Sequence, residues 1–257
     1  VSTLSLDVTS PESIAQAKKD VEELTGGSLD ILVNNAYVSM SLLQRHLKIL
    51  LTLYIRGRNC TLPALEVDLN EARACFETNF FAIIAIVQAF TPLLISAKGL
   101  IINIGSVAAI VPYVFGSVYN ASKAALHAYS QTLRLELEPY DVRVLVVITG
   151  GVKSNIARTG RILAKDSLYL DINEDFQRRV SHSQDGAMGN ETYAKGVGAE
   201  ALKPAWRQKK WLWRGNKALL VWFASSFLGS WIFDWVVPGM FGLDRLKRLV
   251  RARKARK

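Results

Sequence analysis

Tyr119 and Lys123 stand four residues apart in SVYNASKAAL, and Ser106 stands thirteen residues before the tyrosine, directly after LIINIG. Four residues is about one helical turn, so on a helix the phenol and the ammonium share a face. A free tyrosine titrates at about 10 and exchanges protons poorly near neutrality. An adjacent lysine cation favours the phenolate and is expected to lower that value, making the phenol a general acid/base. Taken singly, these residues have plainer readings. YxxxK is common by chance, and a Tyr or Lys on an amphipathic helix is usually surface or core trim.

The flanking sequence predicts the elements that position them. Ser10 is a good N-cap with Pro11 at the first helical position, and Gly26-Gly27 close that helix after about Leu24. Asp68 can cap a long helix, Leu69–Phe90, whose apolar residues recur at helical spacing. Tyr119–Leu137 reads as another helix, and Thr3–Asp7 as a short strand. Leu29–Asn34, Leu100–Ile104 and Val142–Ile148 are continuous apolar strands. Strands apolar on both faces that alternate with helices indicate a parallel sheet covered on both sides. The expected fold class is therefore α/β, a doubly wound parallel sheet of Rossmann-like type. In such sheets ligands lie beyond the carboxyl ends of the strands. Chemistry is expected just after Val33, Ile104 and Ile148.

Ser106, the Tyr119-x-x-x-Lys123 pair, the ASKAAL continuation and the NNA of Asn34, Asn35 and Ala36 together resemble the short-chain dehydrogenase/reductase family. The resemblance runs from about Leu4 to about Asn155. It implies reduction of a carbonyl by hydride, with a proton supplied to the developing alkoxide. On that basis Tyr119 is the general acid/base, and Lys123 tunes it and holds the nicotinamide ribose. Ser106 binds the substrate carbonyl, and Asn79, in FETNFF, organises a relay water. A polar residue inside a helix can instead bond the backbone, which is the plainer reading of Asn79. The resemblance also places Asp7 at the adenine ring and Asn34, Asn35 and Ala36 beneath the cofactor. Gly150 and Val152 fall in a nicotinamide-contacting loop, with Thr149 where the family usually has Pro. Asp7 as a turn residue and Gly150-Gly151 as a strand stop are the plain alternatives. The family begins with a strand and a glycine-rich turn that lets a helix N-terminus approach the pyrophosphate. Nothing here matches it, so an N-terminally truncated domain is expected. A catalytically dead, membrane-associated fragment is the alternative.

The family motif is NNAG. Here Ala36 is followed by Tyr37, and a glycine comes only at Gly57. Without Tyr37–Arg56 the text reads NNAGRNCTLPALEVDLNEARACFETNF, an ordinary continuation. Those twenty codons have the length of a short fungal-type intron, and they can encode a GTATGT donor, a CTGAC branch point and a closing AG. The stretch is expected to be a translated, unspliced intron. The rival is a real inserted helix, SLLQRHLKILLTLY, over the cleft or on a membrane.

The chain has 257 residues, half of them hydrophobic, so a sizeable core is possible. Cys60 and Cys75 show no metal-ligand or CxxC spacing; a reduced compartment and no metal are expected. The net charge of +10 sits in one place: Pro204–Lys257 carries thirteen Lys/Arg against Asp234 and Asp244. All six Trp also fall there. The expected division is therefore 1–203, a truncated dehydrogenase domain, and 204–257, a Trp-rich basic segment. Ala218–Phe233 is uncharged, but Asp234 and Pro238 interrupt it before a full span. Flanking Trp and the basic end suit a membrane surface, as a monotopic or hairpin association. A soluble helix over the substrate pocket is the alternative. The apolar run is too continuous for a nucleic-acid groove. Within the family this combination is similar to the fungal 1-acyldihydroxyacetone phosphate reductases. That implies NADPH, a lipid ketone and the cytosolic face of the endoplasmic reticulum or a lipid droplet. Steroid or retinoid carbonyls are alternative substrates. Lys153 and Arg158 are candidates to meet a substrate phosphate. Pairing through the long helices would make a homo-oligomer, by analogy alone.

Overall fold

Apolar strands bury both faces only when helices cover both sides of the sheet, and this chain builds that arrangement. The computed structural model describes residues 6–35, 50–54, 58–154 and 160–256. Its strands are β1 (Ile31–Asn35), β2 (Leu50–Tyr54), β3 (Leu100–Ile104), β4 (Arg143–Thr149) and β5 (Trp211–Arg214). They form one sheet in the order β2-β1-β3-β4-β5, and every pairing is parallel.

The helices are α1 (Pro11–Thr25), α2 (Leu69–Phe76), α3 (Ala82–Ala97), α4 (Ser117–Leu137), α5 (Asn173–Ser181), α6 (Asn190–Ala201), α7 (Ala218–Phe223), α8 (Ile232–Met240) and α9 (Leu243–Lys254). The expected caps are present. Ser10 accepts from the Ser13 N–H, Gly26 ends α1 at φ 65°, and Asp68 accepts from the Asn70 and Glu71 N–H groups. On one face of the sheet Val21 of α1, Phe90 of α3 and Leu133 of α4 pack with Leu32 and Ile101. On the other, Tyr193 and Val197 of α6 pack against Val33, Ile102 and Val147. A third cluster joins segments that follow β3 and β4: Phe115, Phe176 of α5, and Phe233, Val237 and Phe241 around α8. It roofs the carboxyl end of the sheet.

The predicted long helix continues through a π turn at Glu77–Phe81 and on to Ala97. Leu69–Ala97 is long and apolar enough to cross a membrane by length and composition. Its residues Ile83, Ile86, Phe90 and Leu94 are buried in the core.

Three expectations change. Leu6 and Asp7 are irregular and lead into a turn at Val8-Thr9, and the rest of Thr3–Asp7 is outside the described residues. Within Tyr37–Arg56, Leu50–Tyr54 is the edge strand, in register with β1 from Ile31 to Asn35; the remainder lies outside the described residues. Finally, the sheet does not stop at Lys203. Trp211–Arg214 pairs with Val146–Thr149, so 204–257 begins inside the dehydrogenase fold. Only Leu212 of that strand is fully buried, so four residues gave no strand signal strong enough to read.

Candidate active site

The chain crosses the carboxyl end of β3 at Gly105-Ser106, and Ser106 is buried there. Its Oγ accepts from the Ala108 N–H at 3.1 Å, capping a short turn. The Ser106 hydroxyl is close enough to the Tyr119 phenol to act on its titration. Tyr119 lies in the first turn of α4 and is half-buried. Lys123, one turn further on, is 3% exposed, and its Nζ donates to the Ile104 carbonyl at 3.0 Å. Three sequence-predicted residues therefore meet where β3 ends against α4.

The expected lowering of the phenol by the lysine does not occur. Burial pushes Tyr119 up to about 12, against the weaker opposing effect of the Ser106 hydroxyl. Burial pushes Lys123 down to about 8. Over the range where the phenol would ionise, the amine is already neutral and offers it no charge. Near neutrality Tyr119 is thus a protonated donor, the form that a carbonyl reduction consumes.

Asn79 is buried in the π turn, a helix defect frequent at functional sites. Its Oδ1 accepts from the Arg58 N–H at 3.0 Å, and its Nδ2 donates to the Arg58 carbonyl at 2.9 Å and to Ser122 Oγ at 3.1 Å. Ser122 in turn donates to the Tyr119 carbonyl at 2.8 Å. The amide expected to organise a relay water is here bonded to backbone and to α4.

Asn34 Nδ2 donates to Asn103 Oδ1 at 2.8 Å, and Asn103 Nδ2 to Ser130 Oγ at 2.8 Å, a buried polar chain tying β1 and β3 to α4. Asn34 Oδ1 is buried without a partner. Lys123 uses one of its three donors and makes no ion pair among the described residues. An orphaned acceptor and a buried cation with spare donors are what a polar cofactor would satisfy, so this end of the site fits one. Asn35 ends β1 beside them, and Ala36 lies outside the described residues. The other three predicted contacts stand apart. Asp7 is exposed and accepts from the Thr9 N–H and hydroxyl, a local turn. Gly150 follows β4, but its N–H donates to the Arg214 carbonyl, and a Cβ there would meet the Asn216 carbonyl at 2.1 Å. Val152 is buried in the α6 face of the core.

Sequence reasoning missed His127, one turn beyond Lys123 on the same face. Its Nε2 accepts from the Ser106 N–H at 3.2 Å, and a Cβ on Gly105 would sit 2.1 Å from that nitrogen. Gly105 is thus the residue that lets a neutral imidazole hold the Ser106 backbone. Burial, helped by Lys123, pushes His127 down to about 4. The folded state therefore refuses a proton that the unfolded chain accepts near 6.5. Stability is full above that pH and is lost as pH falls towards 4, by up to roughly 3 kcal/mol. His127→Gln should flatten this slope in urea unfolding measured from pH 7 to 4. An unchanged slope would mean that other groups carry the acid sensitivity.

A doubly wound parallel sheet that gathers Ser, Tyr and Lys at the carboxyl end of a strand defines a Rossmann-like oxidoreductase. Residues 1–162 match the family model described as short chain dehydrogenase, and the chain belongs to that family. It is 39% identical over 244 residues to the short-chain dehydrogenase srdE of Neurospora crassa, covering 94% of this chain and 77% of that protein. It is 32% identical over 256 residues to the NADPH-dependent 1-acyldihydroxyacetone phosphate reductase of Saccharomyces cerevisiae, covering 98% and 78%. The fold is also that of a short chain dehydrogenase from Burkholderia cenocepacia solved in complex with NADP, with a TM-score of 0.63 at 23% identity over 90% of this chain and 78% of that one.

Proposed function

We propose that this chain reduces the keto group of a lipid with NADPH, converting 1-acyldihydroxyacetone phosphate to 1-acylglycerol 3-phosphate at a membrane surface. The observation that carries the reading is a protonated Tyr119 beside Ser106 and a buried Lys123 that no carboxylate among the described residues neutralises. Asn34, Asn35, Ala36 and Lys123 would hold NADPH, which would supply hydride to the carbonyl carbon. Ser106 donates to the carbonyl oxygen and fixes its position. Tyr119 gives that oxygen a proton as it gains charge. Asn79 keeps the start of α4 in place through Ser122.

The lipid part rests on the C-terminal helices and on the similarity to the yeast reductase. Leu219, Leu220 and Phe227 of the α7 region are about two-thirds exposed, at 65%, 64% and 65%, and Trp235 of α8 is 77% exposed. An exposed apolar face of this kind marks an interaction site. No residue of the basic helix α9 is buried; in its last turn Arg253 pairs with Asp171, and Arg251 and Lys254 add two further charges. Each such charge contributes about 1 kcal/mol near anionic head groups. The opposite face of α8 roofs the site through Phe233 and Val237. An open groove of about 390 Å³ lies between the residues before α8 and the start of α4, bounded by Ala108, Asn120, Ser230 and Asp234.

The test uses the full chain, NADPH and 1-acyldihydroxyacetone phosphate in vesicles with and without anionic lipid. NADPH oxidation and salt-sensitive co-sedimentation with the anionic vesicles are expected. Turnover of a steroid or retinoid carbonyl in place of the phosphorylated ketone would move the substrate to that class. Absence of vesicle binding would remove the membrane.

The same proposal takes Tyr37–Arg56 as an unspliced intron, because its removal sets Gly57 directly after Ala36 beside the proposed cofactor site. The mature transcript is expected to lack these twenty codons. A transcript that keeps them would make Leu50–Tyr54 a genuine edge strand and end the intron reading.

A further inference from the structure

Arg179 is a buried cation without a counter-charge. It sits on α5, is 3% exposed, and makes no ion pair among the described residues. The acid nearest in sequence, Asp175, is engaged by Arg178 and Arg245. The Nε of Arg179 donates to the Val114 carbonyl at 2.8 Å, and the guanidinium carbon lies 3.4 Å from the centre of the Tyr113 ring. Its terminal nitrogens make no hydrogen bond among the described residues. Burial pulls the group down to about 10, and only the Tyr113 and Tyr119 phenols act against that. A buried charge in this state is costly unless a partner arrives.

One terminal nitrogen, Nη2, reaches the start of α4. Nη2 lies 2.9 Å from where a Cβ on Gly116 would stand, and Asn120 Oδ1, buried and unpartnered, lies 3.2 Å from the same point. Gly116 caps α4 with no side-chain hydrogen bond, so the first N–H groups of that helix are also unclaimed by a cap. Three residues further on is Tyr119. One guanidinium nitrogen, a helix N-terminus and one acceptor therefore lie together three residues before the proposed proton donor.

We infer that Arg179 forms the anion-recognition subsite of the substrate pocket and takes a phosphate monoester on the ketone. A phosphate oxygen pair matches the guanidinium fork, and a protonated phosphate hydroxyl can donate to Asn120 Oδ1. The inference rests on the carbonyl-reductase reading above and names the group that selects its substrate. It places phosphate recognition at Arg179, inside the site, in place of Lys153 or Arg158. The alternative is that Arg179 only pins the Tyr113–Gly116 loop.

The test compares 1-acyldihydroxyacetone phosphate with the same ketone lacking its phosphate, for the wild type, Arg179→Lys and Arg179→Met. Arg179→Met should reduce the preference in kcat/KM for the phosphorylated ketone by about 10- to 100-fold, with Arg179→Lys between. Equal losses on both ketones, or an unchanged preference, would overturn the subsite. Inorganic phosphate, titrated calorimetrically into the NADPH complex, gives a readout without turnover. Binding to the wild type that weakens in Arg179→Lys supports the subsite, and no binding to the wild type overturns it. If neither ketone is reduced but phosphate still binds through Arg179, the proposed reaction falls and the anion site stands.

Discussion

Turnover by the Tyr119→Phe variant is expected to fall by about 10²- to 10⁴-fold while NADPH still binds. The substitution removes one oxygen and keeps the ring. What it deletes is the phenol beside Ser106, whose proton the proposed reaction gives to the carbonyl oxygen. Ser106 keeps its bonds to the Ala108 N–H and the His127 ring, so the end of β3 stays in place. Even a lost hydrogen bond costs only about 1 kcal/mol, too little to unfold the domain. The groups proposed to hold the cofactor, Asn34 and Lys123, owe none of their contacts to the phenol. Steady-state kinetics and a thermal shift with NADPH separate the two effects. Near-normal kcat would remove Tyr119 from the reaction. Loss of NADPH binding together with turnover would make its role one of shaping the site.

The site was legible because its residues lie in one stretch of sequence on two adjacent elements. A helix puts Tyr119 and Lys123 on one face whatever surrounds it, and the apolar run Leu100–Ile104 has to be a buried strand. The strand ends were legible to within one residue for the same reason: Asn34 and Ile148 were read where the strands run to Asn35 and Thr149, and Ile104 was read as it stands. The charge state was not. The sequence shows a lysine beside a tyrosine, but the sign of their mutual effect depends on how deeply each is buried. Arg179 and His127 were missed for different reasons. His127 carried a signal, its spacing from Lys123, but its partner is a backbone N–H that no residue type announces. Arg179 approaches α4 from sixty residues away, through packing of Phe115, Phe176 and Phe241 that no periodicity encodes. Strand β5 escaped because four residues with one buried side chain carry almost no alternation.

The Lys123→Met variant is expected to be more stable than the native chain and close to inactive. Methionine nearly matches the volume of the lysine stem and carries no charge. In the folded protein burial lowers Lys123 from 10.5 to about 8. The unfolded chain therefore holds its proton more tightly, and at pH 7 the charged lysine costs the fold roughly 3 kcal/mol. The lost hydrogen bond to the Ile104 carbonyl returns about 1 kcal/mol of that, so a net gain of about 2 kcal/mol is expected. The sign of the pH dependence follows. Native stability should rise as pH increases from 8 towards 10.5, because the penalty disappears as the unfolded chain also loses its proton. Tyr119, pushed up to about 12, works in the opposite direction from about 10 upward. Cys60, which burial pushes from 9.0 to about 11, does the same from about 9 upward, so the clean window is between pH 8 and 9, where the variant should show no rise. Urea unfolding of both proteins across that window is the measurement, with NADPH binding measured on the same samples. A variant that is less stable and keeps the native slope would make Lys123 a structural residue. A variant that gains stability and loses NADPH affinity would show that the fold accepts a buried, unpaired cation for the sake of what binds there. That is the behaviour expected of a functional site, where local strain is retained because removing it removes the chemistry.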